Sequence, residues 1–271
     1  MKTDYSPFLQ RGGSTVLISV PHAGICVPSD QFEQFSAPAR RLPDTDWNVD
    51  RLYAWAPQAG AGMLVASLSR YVIDLNRPPD DAPLYDSSAA SLFTGLVPTT
   101  TFSAAPVYRP GCEPDAAEIR RRVETYWNPY HQCLREELRR IRDAHGYAVL
   151  LDAHSIRSKV PLLFAGTLPD LNIGSHNGRS AVPSLLSSVC SALTDSRFSM
   201  IMDGRFKGGY ITRHYGNPRQ GIHAVQLEMA QSAYMQEDSA QWDDALAQPL
   251  QTVLQRLVQV LLQWKPDQNA T

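Results

Sequence analysis

Two histidines and a glutamate stand at the ends of apolar runs that are typical of buried strands. His22 follows the run 16–20, His154 ends the run 148–154, and Glu228 ends the run 224–228. Ligands of open α/β sheets bind at the carboxyl edge of the strands, so these side chains would meet if the strands are neighbours. Two imidazoles and a carboxylate are common ligands of a hydrolytic zinc ion. The spacing therefore predicts a metal site at that edge.

The carboxylate ligand could come from Asp44 or Asp46, which precede an amphipathic run at 48–56. A loop at this point could fold over the sheet edge, although Asp44 could instead cap the helix that follows. We expect Asp46 to be the ligand and keep Asp44 as the alternative. Glu228 would then be available for another role, or would be an ion-paired carboxylate at the sheet edge.

Fixed positive charge is the second chemical signal. Arg70 begins, and Asn76 with Arg77 ends, a segment that reads as a strand, and the run 204–213 is cationic and flanked by glycine. Glycine lets a backbone approach an anion closely, and arginine binds carboxylates in bidentate fashion. These segments predict a small di-anionic substrate, with ordinary surface arginines as the alternative. The chain has neither a P-loop nor a G-x-S-x-G motif, which disfavours phosphoryl transfer and serine hydrolysis.

The remaining histidines carry less information. A lone histidine usually satisfies local hydrogen bonds or lies at the surface. We expect this of His131, His145, His176 and His223. For His214, in the cationic run, a structural role and a substrate contact are equally well supported.

Short apolar runs predict the strands that must position these residues. They lie at 15–20, 63–67, 71–75, 147–151, 198–202 and 224–227. Apolar residues at helical spacing predict a helix over 115–145, kinked near Asn128 by Pro129, and a second helix over 242–264. Strands that alternate with helices predict a mostly parallel sheet covered on both faces.

Composition restricts the class of protein. The chain has 271 residues, of which 43% are hydrophobic, with 25 basic and 27 acidic residues and a net charge of −2. This composition is typical of a globular protein and lacks the basic excess expected of a nucleic-acid-binding surface. We expect residues 1–271 to form one domain and expect no nucleic-acid partner.

The cysteines and the N-terminal residues indicate in which cellular compartment the protein works. The four cysteines show neither metal-binding nor disulfide spacing, and no apolar run resembles a signal peptide or a membrane span. We therefore expect free thiols, a cytoplasmic location and no membrane partner. The oligomeric state has no signature in the sequence.

Six blocks of sequence, in this order, carry a resemblance to a known family. They are VPHAG at 20–24, LPDTDW at 42–47, SRYVIDLNR at 69–77, DAHSIR at 152–157, GRFKGG at 204–209 and QLE at 226–228. Together they resemble the N-formylglutamate amidohydrolases of histidine degradation over residues 14–237. The resemblance implies metal-dependent hydrolysis of N-formyl-L-glutamate to formate and L-glutamate. It also implies an α/β fold, with a mostly parallel or mixed sheet flanked by helices, similar to that of zinc carboxypeptidases.

The resemblance also implies roles for individual residues. His22 and His154 match imidazole ligands of one divalent ion, zinc or else cobalt or manganese, and Glu228 matches a general base. The carboxypeptidase pattern has a glutamate ligand where this chain has Ile25, so the third ligand comes from elsewhere, for which we keep Asp46. Asn76 and Arg77 are similar to a pair that holds a substrate carboxylate in related enzymes. From the cationic segments we also expect contacts of the dicarboxylate substrate with Arg70, Lys207 and Arg213, and keep His214 as a candidate.

Two other functions are compatible with these residues. The D-x-H spacing of Asp152 and His154 and the D-x-D spacing of Asp44 and Asp46 also occur in arginase-type enzymes with two manganese ions. A non-catalytic protein that binds acidic amino acids would need the arginines but not the metal. The number of metal ions per chain and binding in the presence of a chelator distinguish these alternatives.

Overall fold

The structure is a computed structural model that describes residues 5–84, 95–194 and 196–266. Residues 1–4 lie outside these ranges. They begin the N-terminal segment in which the sequence shows no apolar run. Within them, no helix is both long enough and apolar enough to cross a membrane.

Seven strands form one mixed sheet. They are β1 (Phe8–Gln10), β2 (Val16–Val20), β3 (Gly62–Val65), β4 (Ala148–Ile156), β5 (Leu171–Gly174), β6 (Met200–Met202) and β7 (Ile222–Ala230). Their spatial order is β1-β3-β2-β4-β7-β5-β6. The four strands β3, β2, β4 and β7 are parallel, whereas β1 pairs antiparallel with β3, and β5 with β7. The predicted sheet, mostly parallel or mixed and flanked by helices, is confirmed.

Helices cover both faces of this sheet. They are α1 (Ser29–Phe32), α2 (Val49–Tyr53), α3 (Ala116–Arg122), α4 (Asn128–His145), α5 (Pro183–Thr194), α6 (Tyr210–Tyr215) and α7 (Asp244–Gln263). Short 3-10 segments span Ala39–Arg41, Ala56–Ala59, Pro218–Gln220 and Gln231–Ala233. A separate hairpin pairs β8 (Met235–Gln236) with β9 (Gln241–Trp242).

Each face of the sheet packs against its own apolar cluster. Val149 and Leu151 of β4 pack with α2, α5 and α7 on one face. Ala148 and Leu150 pack on the other face, with α4 and α6. Because side chains alternate along a strand, Asp152 belongs to this second face, and so does the next even position, 154. The polar side chains of Asp152 and His154 therefore lie on the face of the sheet that α4 and α6 cover.

The long helical pattern is interrupted where the sequence predicts a kink. The Asp115 side chain accepts hydrogen bonds from the first turn of α3 and caps it, and α4 ends at Gly146 with a φ of 85°. Between the two helices, Val123–Trp127 forms a π-helical turn. It ends two residues before Pro129, which lacks the backbone donor for a regular helical bond.

One predicted strand is wrong, and others have different bounds. The segment 71–75 is buried but folds as successive turns, in which the Val72 amide donates to Ser69 and the Arg77 amide to Asp74. In the run 198–202, only β6 is a strand. The sequence patterns did not predict β1, β5 or α5.

Candidate metal centre and active site

The predicted ligands come from three separate places along the chain. His22 lies just beyond β2, His154 lies in β4, and Asp46 lies in the turn that precedes α2. The Asp46 amide donates a hydrogen bond to the His22 carbonyl at 3.1 Å, which holds this turn against the sheet edge. The side chains of His22, Asp46 and His154 are all buried, and one ligand atom of each lies within 4.8 Å of the other two.

The two imidazoles face Asp46 through the same ring nitrogen. Nδ1 of His154 lies 3.0 Å from Asp46 Oδ2, and Nδ1 of His22 lies 3.8 Å from the same oxygen. The ring centroids are 4.9 Å apart. Nδ1 of His22 is buried and has no hydrogen-bond partner among the described residues. A buried lone pair directed at a carboxylate suits a cation between them.

A carboxylate lies on the opposite nitrogen of each ring. Nε2 of His22 is 2.8 Å from Asp74 Oδ1, and Nε2 of His154 is 3.2 Å from Asp152 Oδ1. Metal-binding histidines commonly donate their second N–H to a carboxylate, which fixes the tautomer and the orientation of the ring. The group could therefore hold a metal ion through the two Nδ1 atoms and Asp46.

The charges around the group favour an ionised Asp46 and a neutral His22. Burial alone would raise the pKa of Asp46, but the hydrogen bond from His154 and the charges of His22, His154 and Arg70 lower it. Burial and the Arg70 charge lower the pKa of His22. Burial opposes protonation of His154 as well, yet Asp152 and Asp46 raise its pKa well above the ordinary value. A cation that binds here would compete with that proton.

The alternative ligand, Asp44, has other partners. Its Oδ2 accepts hydrogen bonds from the Tyr71 hydroxyl at 2.6 Å and from the Phe102 amide at 2.8 Å. Asp44 does not belong to the group that could hold a metal ion. It does not cap α2 either, because the N-cap position is Asn48.

Glu228 lies beside the group in the sheet. In the register of β4 and β7, Glu228 is the partner of His154, so both side chains point to the α4 and α6 face. Glu228 Oε2 accepts a hydrogen bond from Gln226 Nε2 at 3.0 Å. Burial raises the pKa of the Glu228 carboxyl to about 8, a value suited to proton transfer near neutral pH. The strands β2, β4 and β7 are adjacent in the sheet, which is the condition under which the sequence predicts that His22, His154 and Glu228 meet.

Asn76 and Arg70 contact the group rather than an open surface. The Asn76 carboxamide accepts from the Ile211 amide at 2.8 Å, and its Nδ2 lies 2.9 Å from His154 Nε2. The Arg70 guanidinium lies 2.7 Å from Asp74 Oδ2 and 3.6 Å from Asp46 Oδ1. Arg70 is thus a nearly buried counter-ion for two carboxylates, and its predicted contact with substrate stays a prediction.

The other cationic residues lie around the first turn of α6. Arg213 Nε donates to the Gly208 carbonyl at 2.7 Å, and the Lys207 carbonyl accepts from the His176 amide. Arg77 is partly buried directly after Asn76. These placements put Lys207 and Arg213 on the segment that also contacts Asn76. The carboxylate-binding roles of Arg77, Lys207 and Arg213 stay predictions.

The remaining histidines differ in their surroundings. His214 is exposed, and its ring stacks on Tyr210, so the described contacts do not connect it to the metal group. His131 and His223 are buried, His176 is partly buried and His145 is exposed. Both ring nitrogens of His131 have protein partners, the Tyr215 hydroxyl at Nδ1 and the Leu75 carbonyl at Nε2. None of these four belongs to the group of potential metal ligands found among the described residues.

Several residues of the site were not predicted from the sequence. Asp74, Gln226 and Thr212 are buried, and Thr212 Oγ1 donates to Asp152 at 3.3 Å. The alternation of strand side chains could have identified Gln226, two residues before Glu228 on the same face. The same spacing relates Asp74 to Asn76, although their segment consists of turns and not of a strand.

Comparisons with known proteins identify a family and several relatives. A sequence model of the N-formylglutamate amidohydrolase family matches residues 14–235. The chain is 49% identical to an N-formylglutamate deformylase of Pseudomonas putida, over 94% of each chain. It is 46% identical to an N-formylglutamate deformylase of Pseudomonas aeruginosa, over 96% of this chain and 97% of the relative.

A solved structure has the same fold. The crystal structure of N-formylglutamate amidohydrolase from Ralstonia eutropha JMP134 superposes with a TM-score of 0.81 over 96% of each chain, at 24% identity. At this identity the likeness concerns the fold. The match of the family model and the two relatives of Pseudomonas show that the chain belongs to the N-formylglutamate amidohydrolase family.

Proposed function

We propose that this protein hydrolyses the formyl amide of N-formyl-L-glutamate to formate and L-glutamate, and that it requires one divalent metal ion. The observation that carries the proposal is the buried group His22, Asp46 and His154 with Glu228 as its neighbour in the sheet. Membership of the family, with two relatives named N-formylglutamate deformylase, supports the choice of substrate.

Zinc is the ion we propose, because two imidazoles and one carboxylate are a frequent ligand set of hydrolytic zinc sites. Cobalt or manganese could bind the same donors. A bound ion supplies Lewis-acid chemistry: it makes water more acidic and stabilises negative charge on a carbonyl oxygen. His22 and His154 would hold it through Nδ1, and Asp46 through a carboxylate oxygen. The buried Nδ1 of His22 that lacks a hydrogen-bond partner supports this assignment.

Glu228 would move the proton of the reaction. Its carboxylate accepts a proton from the attacking water at a carboxyl oxygen and then donates it to the nitrogen of the formyl amide. An amine leaves readily only when its nitrogen is protonated, so one carboxyl serves both steps. The raised pKa of Glu228 supports this role, because a group that exchanges protons efficiently has a pKa near the working pH.

The cationic residues would hold the two carboxylates of the substrate. Arg77 and Arg213, with Lys207 or Arg70 in support, offer charge-assisted hydrogen bonds. The position of Arg213 on the same short segment as the contacts of Asn76 supports a substrate carboxylate near the first turn of α6.

A formate-release assay tests the proposal. N-formyl-L-glutamate is compared with N-formyl-L-aspartate and, by acetate release, with N-acetyl-L-glutamate, each with and without a chelator. We expect N-formyl-L-glutamate to be hydrolysed fastest and chelation to abolish hydrolysis. Absence of chelator-sensitive hydrolysis for all three compounds contradicts the proposed function.

Metal analysis separates this proposal from the two alternatives. One ion per chain supports the deformylase, whereas two support the arginase-type enzyme. The single group of potential ligands among the described residues favours one ion. If the protein only binds acidic amino acids, calorimetry in the presence of a chelator would show undiminished binding of N-formylglutamate. No hydrolysis would be detected.

A further inference from the structure

Gln226 has a carboxamide whose orientation is fixed by a backbone donor. Its Oε1 accepts a hydrogen bond from the Gly209 amide at 2.7 Å. A backbone N–H can only donate, so the oxygen of the side chain must face Gly209 and the nitrogen must face the other way. On that side, Nε2 donates to Glu228 Oε2 at 3.0 Å.

We propose that Gln226 is a positioning residue that holds the Glu228 carboxyl in the orientation required for proton transfer. The inference rests on the proposed function of Glu228 as the base. Among the described residues, Gln226 supplies the only hydrogen bond to that carboxyl. Both side chains are almost inaccessible to solvent, at 4% for Gln226 and 6% for Glu228, so water is a poor substitute.

The position of Gln226 in β7 explains why this contact is stiff. Residues two apart in a strand share a face, and β7 is paired on both sides, with β4 and with β5. The backbone between Gln226 and Glu228 is therefore fixed by the sheet. The only freedom left to the pair lies in side-chain torsions, which the hydrogen bond from Gly209 restricts.

The same bond connects the base to the cationic segment. Gly209 immediately precedes α6, and the Arg213 side chain donates to the neighbouring Gly208 carbonyl at 2.7 Å. The segment that contains Arg213, the proposed carboxylate-binding arginine, thus also orients the Gln226 carboxamide that donates to Glu228. A substitution at Gln226 could therefore act through Glu228 or through the segment that contains Gly209 and Arg213, and the experiment must separate these two effects.

The separating measurement is steady-state kinetics of Gln226→Met, which keeps the side-chain length and removes both hydrogen bonds. We expect kcat to fall roughly 10- to 100-fold, as for a misplaced reacting group, while KM changes less than about threefold. Gln31→Met is the matched control, because Gln31 is also buried and its carboxamide has no hydrogen-bond partner among the described residues. It should leave kcat unchanged.

A double-mutant cycle tests whether Gln226 acts through Glu228. In a Glu228→Asp background the carboxyl is withdrawn by one methylene, so Gln226→Met should lower kcat by less than about threefold. A full additional loss in that background contradicts the proposal. A normal kcat in Gln226→Met contradicts it too. A rise in KM of at least 10-fold with unchanged kcat would also contradict it, since Gln226 would then act on the segment that contains Arg213.

Controls keep the outcome interpretable. Circular dichroism and metal analysis show whether Gln226→Met is folded and contains the metal ion. If it is not, Gln226→Asn replaces it: its amide is too short to reach both Gly209 and Glu228, and we expect the same fall in kcat. If the unsubstituted protein releases no formate, the proposed function fails. If it does so and both Gln226 variants match it in kcat, only the role of Gln226 fails.

Discussion

Asp74 lies outside the proposed set of metal ligands but could decide the affinity of that set for a metal ion. Its carboxylate lies 2.8 Å from Nε2 of His22 and also accepts from Arg70. We predict that Asp74→Asn weakens metal binding roughly 10- to 100-fold, because the ring loses the charged acceptor that orients it and makes Nδ1 more basic. Competition with a chromophoric chelator measures the dissociation constant. Asp50→Asn, at an exposed position, is the control, and equal affinities in both variants would contradict the prediction.

The role of Glu228 is testable with a substitution that preserves its shape. Glu228→Gln keeps the side-chain volume but can no longer accept and return a proton. We predict a fall in kcat of roughly 10²- to 10⁴-fold with undiminished metal content. The exposed Glu124→Gln serves as the control. Near-normal kcat in a metal-loaded Glu228→Gln variant would show that another group is the base.

At the scale of elements, the interrupted helix builds a buried aromatic cluster behind the site. The π-helical turn brings Trp127 against His131, with ring centroids 3.7 Å apart, and the Trp127 indole donates to the Arg77 carbonyl. His131 Nε2 lies 2.9 Å from the Leu75 carbonyl, and Nδ1 lies 3.0 Å from the Tyr215 hydroxyl. The Leu75 carbonyl can only accept, so Nε2 of the neutral ring carries the hydrogen and Nδ1 does not. The Tyr215 hydroxyl beside Nδ1 also donates to the His131 carbonyl at 3.1 Å.

This cluster predicts acid sensitivity. Burial lowers the pKa of His131 from 6.5 to about 3, so below pH 6.5 the unfolded chain binds a proton that the native protein does not. The free energy of unfolding should therefore fall as the pH decreases, by at most about 1.4 kcal/mol per pH unit from this ring. Urea unfolding between pH 7 and about 5 measures the slope. His131→Gln should flatten it, and the exposed His145→Gln should not; identical slopes in His131→Gln and the unsubstituted protein contradict the prediction.

The elements also show what the sequence could predict. Apolar runs located β2, β4 and β7 because these strands are buried on both faces, and that sufficed to bring His22, His154 and Glu228 to one edge. The C-terminal helix followed from its apolar period. Local patterns fail where long-range contacts decide the backbone. The segment 71–75 is as apolar as a strand, but its turns are held by distant partners such as Leu96, whose carbonyl accepts from the Asp74 amide.

The contacts of individual site residues were less predictable still. Asp44 and Asp46 have the same chemistry and stand two positions apart, and only the fold of their turn directs one to Tyr71 and the other to His154. Likewise, the sequence did not predict that the Asn76 carboxamide contacts Ile211 and His154, and its contact with substrate stays a prediction. Side-chain direction at such positions depends on tertiary packing, which spacing along the chain does not encode.

Considered as a whole, the nearly charge-balanced molecule concentrates carboxyl groups in its interior. Asp44, Asp46, Asp74, Asp152 and Glu228 are all at most 8% exposed and lie on or near one edge of the sheet. Arg70 is the nearly buried guanidinium that contacts two of them. Ionised carboxylates are costly to bury without compensating charge. A divalent cation beside Asp46 would supply that charge, which links metal binding to the stability of the native fold.

The proposed ligands come from three distant parts of the chain, so the native protein should bind the ion far better than the unfolded chain does. At a free metal concentration about 100 times Kd, binding adds about 2.7 kcal/mol to the free energy of unfolding, which corresponds to a rise in Tm of roughly 5 to 10 °C. Thermal denaturation of the chelated protein with added zinc measures the shift. His22→Ala should abolish it, and the exposed His145→Ala should keep it. A Tm that zinc leaves unchanged in the unsubstituted protein, or raises equally in His22→Ala, would place the binding site elsewhere.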